Sequence, residues 1–90
     1  MITGTTKTGF QFEIDDDVVD DYDLLLKLAE VDEGKLTGID GIYNEVLGKE
    51  QKDALREHIK KVTGRKRVSL KMMVDSLQEI FEATNETKNC

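Results

Sequence analysis

Residues 15–34, DDDVVDDYDLLLKLAEVDEG, decide how this chain folds. Asp15, Asp16 and Asp17 offer side-chain acceptors to the free amides of a first helical turn, and Asp20 and Asp21 suit the positive end of its dipole. A helix is expected to start there. Val18, Tyr22, Leu25, Leu26 and Ala29 recur at steps of three and four, the period of one buried helix face. Leu24, Leu28 and Val31 widen the stripe until Gly34, which can take the left-handed conformation that ends helices. So broad an apolar arc exceeds what one stripe needs. Packing inside a bundle accounts for Leu24, Leu28 and Val31, and any part of them left outside is a docking surface.

Upstream, Ile2 to Thr6, a turn through Lys7-Thr8-Gly9, and Phe10, Phe12 and Ile14 alternating with Gln11 and Glu13 predict a hairpin with one apolar face. Two strands alone are marginal in water, so that face must lie on the helices that follow, as a lid. Downstream, Thr37 with Asp40 is expected to cap a short helix carrying Ile39, Ile42, Tyr43, Val46 and Leu47 up to Gly48. A wetter amphipathic helix from Lys49 to Thr63 exposes alternating charges and ends at Gly64. Ser69 is the expected cap of a last helix with Met73, Val74, Leu77, Ile80 and Phe81 inside, and Val68 is placed as its hydrophobic staple. The expected fold is mainly α: a small bundle of about four helices with an N-terminal β-hairpin. It forms a single domain over 1–84, with the hairpin in 1–14, helices within 16–83 and a flexible polar tail over 85–90.

Ninety residues suit one domain, and 38% hydrophobic against 36% charged residues leaves one modest core under a heavily charged surface. No apolar run approaches the roughly 18 residues of a membrane span, and no signal pattern opens the chain, so neither export nor membrane insertion is expected. The single cysteine, Cys90, excludes an intrachain disulfide and points to a reducing cytoplasm. The net charge of −6 conceals two poles. Residues 1–48 hold three lysines against twelve acids, a charge of −9, whereas residues 49–90 hold ten bases against seven acids, or +3. Either the two poles close on each other within one monomer, or they favour head-to-tail self-association.

No catalytic constellation emerges. His58 is the only histidine and lacks the partners of a zinc site. An EF-hand register near Gly34 would put Ala29 and Val31 at ligand positions. Asp15 to Asp17 lack a pocket to separate their pKa values, and no glycine pattern forms a phosphate loop. The basic segment 65–71, with Arg65, Lys66, Arg67 and Lys71, permits a small DNA-binding regulator. Overall acidity, and Asp75 and Glu79 on the same helix, argue against nucleic acid. The candidate partner-binding residues are Leu24, Leu28, Val31, Lys66 and Arg67. No catalytic, cofactor or metal residues are expected.

One ordered set of landmarks runs along nearly the whole chain. It opens with Thr6-Lys7-Thr8-Gly9-Phe10-Gln11-Phe12-Glu13-Ile14-Asp15, then Asp21-Tyr22 and the leucine-rich helix. Leu47-Gly48, Glu50-Gln51, Leu55, His58-Ile59 and Gly64 follow, then the serine-capped helix with Met72 and Met73, Ile80-Phe81-Glu82 and Lys88-Asn89. In this order the chain resembles the small tail assembly chaperones of long-tailed bacteriophages and prophages of Gram-positive bacteria. The resemblance implies a helical, non-enzymatic protein that binds the tape measure protein, helps recruit tail tube subunits during virion morphogenesis, works in the host cytoplasm and is absent from the mature virion. It also implies a longer product made by frameshifting, for which Thr87-Lys88-Asn89 can be encoded as ACA AAA AAC, containing the heptamer A AAA AAC. A structural head–tail or tail component is the remaining alternative.

Overall fold

The computed structural model describes residues 1–88. Strands β1 (Ile2–Thr5) and β2 (Gln11–Ile14) pair antiparallel, with Ile2 opposite Ile14 and Gly4 opposite Phe12. The Gly9 N–H donates to the Thr6 carbonyl and the Thr6 N–H to the Phe10 carbonyl, which closes the expected turn. Helices follow at α1 (Asp16–Val19), α2 (Tyr22–Asp32), α3 (Ile39–Val46), α4 (Gly48–Thr63) and α5 (Leu70–Lys88), with a 3-10 turn over Leu36–Gly38 before α3. The mainly helical architecture with its N-terminal hairpin is therefore present, with five α-helices among the described residues.

The period-two pattern of the hairpin becomes burial. Ile2, Phe12 and Ile14 are buried, while Thr3, Thr5, Gln11 and Glu13 are exposed. Gly4 is required by proximity, since a Cβ there would lie 2.6 Å from the ring tip of Phe12, which is itself enclosed. The hairpin is fastened to the helices by polar contacts as well as by its apolar face. On α4, the Gln51 carboxamide accepts from the Glu13 N–H at 2.8 Å and donates to the Glu13 carbonyl at 2.7 Å. Further along α4, the His58 ring meets the Thr8 carbonyl at 2.9 Å. Because a carbonyl only accepts, Nε2 carries the proton. On α5, the Glu79 carboxylate accepts from the Lys7 N–H at 2.7 Å.

Two boundaries differ from the sequence expectation. The helix expected to run unbroken from the aspartate run is interrupted at Asp20 and Asp21, and α2 starts anew with the Asp21 side chain accepting from the Leu24 N–H at 3.0 Å. An aspartate competes well for such a cap, so the second of two closely spaced acid clusters takes it. At the other end, α5 continues to Lys88, so the polar tail expected from residue 85 is helical as far as 88. Past Gly64 the chain has no glycine or proline to stop a helix. Asn89 and Cys90, with the end of the expected tail, lie outside the described residues.

Other local signals act as expected. Gly34 adopts φ 97°, its N–H donates to Val31 and the Lys35 N–H to Glu30, which is the paired-bond closure of a helix C-terminus. Ser69 Oγ accepts from the Met72 N–H at 3.3 Å as the cap of α5. Thr37 does not cap α3. It lies inside the 3-10 turn, and the preceding Gly38 has no side chain to serve.

The core joins Ile2, Phe12 and Ile14 of the hairpin to Leu24, Leu28 and Val31 of α2, Ile42, Tyr43, Val46 and Leu47 around α3, Leu55 and Ile59 of α4, and Leu77 and Ile80 of α5. Tyr43 donates its hydroxyl proton to the Met73 carbonyl, tying α3 to α5. Burial, and after it the Glu79 carboxylate, hold the Tyr43 phenol well above the ordinary tyrosine pKa. Lys52 lies along the core with its ammonium on Asp40 at 2.9 Å, its stem covered and its charge at the edge.

Candidate interaction surface

Helix α2 carries apolar residues on two sides, one enclosed and one in water. Leu24, Leu28 and Val31, expected to pack in a bundle with any exposed part available to a partner, are core residues at 1%, 8% and 3% exposure. They do not form a docking surface. Tyr22, Leu25 and Leu26, expected inside, are 71%, 57% and 49% exposed, and Ala29 is exposed beside them. The break before α2 explains the inversion. Val18 belongs to α1, so its four-residue step to Tyr22 no longer marks a continuous face. Once α2 has its own start, the neighbours of each candidate face decide the rotation. Lys27 donates to Glu45 of α3 at 3.1 Å, and Gln78 of α5 donates to Asp32 at 3.0 Å. Lys27 and Asp32 flank the Leu24, Leu28 and Val31 face on either side, so both contacts lie along the borders of the side that the core encloses.

At about 100° per residue, the outward and inward stripes are centred roughly 140° apart. The outward stripe holds positions 22, 25, 26 and 29, the i, i+3, i+4, i+7 pattern of a helix that receives another helix. Its surroundings are acidic. Asp15, Asp16, Asp17, Asp20, Asp21, Asp23, Glu30, Asp32 and Glu33 precede or flank it, and Lys27 is the one base between residues 8 and 34. Glu45 already holds that base. Among the described residues, Asp17, Asp20, Asp23, Glu30 and Glu33 form no ion pair.

The basic residues sit elsewhere. Arg65, Lys66 and Arg67 are exposed in the turn between α4 and α5, and Lys71 is exposed in the first turn of α5. None of the four forms an ion pair among the described residues. Exposed Val62 and Leu70 flank that turn. Lys66 and Arg67 therefore belong to a different surface from Leu24, Leu28 and Val31, and the structure does not bring the five expected partner-binding residues into one site.

Sequence reading missed Tyr22, Leu25 and Leu26 as surface residues. The aspartate at position 21 separates Val18 from the apolar run, but both faces of α2 keep the helical period after it, so no local signal picks them out. His58 is half-buried and engaged with the hairpin. Among the described residues no group of three His, Cys, Asp or Glu side chains could hold a metal ion, and no helix is long and apolar enough to cross a membrane. Comparison with protein-family models, curated proteins and solved structures finds no match.

Proposed function

We propose that this protein is a tail assembly chaperone of a long-tailed bacteriophage or prophage, a non-enzymatic holdase that binds the tape measure protein and helps recruit tail tube subunits. The reading adds two further expectations: it acts in the bacterial cytoplasm and is absent from the finished virion. The observation that supports it is the outward stripe of α2. A chain this small that leaves Tyr22, Leu25 and Leu26 in water beside dense like charge combines a site for apolar segments with protection from precipitation. The resemblance of the ordered landmarks from Thr6 to Asn89 is what points to that family. Co-expression with a tape measure protein tests the reading: the soluble fraction of that client rises if it is right and stays unchanged if it is wrong.

A second reading, a small DNA-binding regulator, is favoured by one observation, the exposed Arg65, Lys66, Arg67 and Lys71, which form no ion pair among the described residues. It predicts retention on duplex DNA that weakens with salt and with neutralisation of Lys66 and Arg67. A structural head–tail or tail component would instead persist in purified particles, where mass spectrometry would find it.

A further inference from the structure

We infer that the outward stripe of α2 receives an amphipathic helix whose apolar seam is bordered by lysine and arginine, an inference that rests on the holdase reading and names the kind of client segment it takes. Three observations converge on this partner. The exposed side chains fall on one helix at three- and four-residue steps, so they form a ridge along about 10 Å of axis, the length of two turns of a partner helix. Most of the acids around the ridge form no ion pair among the described residues, and the one base on α2, Lys27, is already held by Glu45. A seam edged with Glu or Asp would set like charges against Asp23, Glu30 and Glu33, whereas Lys and Arg would find them free.

A second copy of this chain does not supply such a ridge. Its basic surface lies across the turn between α4 and α5, where the exposed Val62 and Leu70 belong to different helices. No other helix among the described residues carries an exposed apolar seam of the same spacing edged by bases. The occupant is therefore a separate chain.

Two fluorescein-labelled helical peptides with one shared leucine seam, one edged by lysines and the other by glutamates, test the inference by fluorescence anisotropy with the full chain. The lysine-edged peptide binds at least about tenfold more tightly, and its affinity falls as salt is raised. A Leu25→Glu/Leu26→Glu variant, which circular dichroism shows to be folded, loses at least about tenfold in affinity because its anchors are gone. Asp23→Asn/Glu30→Gln keeps the anchors but reduces both the preference for lysine and the salt dependence. Equal binding of the two peptides, undiminished binding by the Leu25/Leu26 variant, or a self-associated species in sedimentation that this variant abolishes each overturns the inference. Co-expression separates the two levels. If wild type and the Leu25/Leu26 variant solubilise a tape measure protein equally, the docking site is wrong and the chaperone reading stands. If neither does so while the lysine-edged peptide still binds, the chaperone reading falls and the docking site stands.

Discussion

The two sides of α2 use nearly the same residues to opposite ends. Leu24 and Leu28 are enclosed in the core, whereas Leu25 and Leu26, one or two steps along the chain, face water. The same side chain is a structural element on one side and a free surface on the other. What differs is its neighbours, since a helix turns the side that can be enclosed towards the core, and Lys27 with Glu45 and Asp32 with Gln78 only border that side. Hydrophobicity in this helix therefore does not report burial, and substitution experiments on adjacent leucines must give unequal answers.

The largest inequality is expected between Leu24 and Leu25. Leu24→Ala leaves a cavity in the core and should lower unfolding free energy by about 2–5 kcal/mol, while Leu25→Ala should stay within about 0.5 kcal/mol, as read from urea melts. Similar losses at the two positions would break the comparison. Next comes the wall on which the inner face packs. Tyr43→Phe removes the bond to the Met73 carbonyl and should cost about 1 kcal/mol near neutral pH. It also alters the alkaline response. An unfolded tyrosine ionises near pH 10, while in the fold burial holds the Tyr43 phenol above that value, so its contribution is complete below about pH 10 and declines as pH rises further. Wild type should therefore lose stability above about pH 10 more steeply than the phenylalanine variant in pH-dependent melts.

Asp21 tests whether the two sides share one origin. Asp21→Ala removes the cap that restarts the helix and should cost about 1 kcal/mol. Amide exchange should then quicken over the first turn of α2 on both faces alike. Smallest is Lys27→Met. Breaking its exposed pair with Glu45 should change stability by less than about 1 kcal/mol, yet it frees Glu45 and strengthens capture of the lysine-edged peptide. Unchanged peptide affinity in this variant would remove Lys27 from the rim.

The parts of the fold that were readable in advance share one property: each depends on neighbours close in sequence. The alternation of Phe10, Phe12 and Ile14, the turn at Gly9, the closure at Gly34 and the cap at Ser69 are all set by a few adjacent residues, and all appear as expected. The rotation of α2 depends on core side chains far along the chain, and even its bordering contacts reach Glu45 and Gln78, 18 and 46 residues from their partners, so no local period carries that information. The near-continuous apolar run from Leu24 to Leu26 made both rotations compatible with the pattern. Gly4 is similar, since its need for a hydrogen in place of a side chain comes from Phe12 across the hairpin. Of the candidate site, the exposed basic turn at Lys66 and Arg67 was legible because dense charge rarely lies inside. The apolar half was assigned to the wrong side of its helix.

The carboxamide of Gln51 has a consequence for life in a crowded assembly. By occupying both backbone groups of Glu13, it behaves as the last rung of a ladder that goes no further. A strand drifting in from another molecule finds no free amide and carbonyl pair there to zip onto. The chain can thus show grease on one side while closing its hairpin rim at this one point to the edge-on pairing through which sticky proteins grow into fibres.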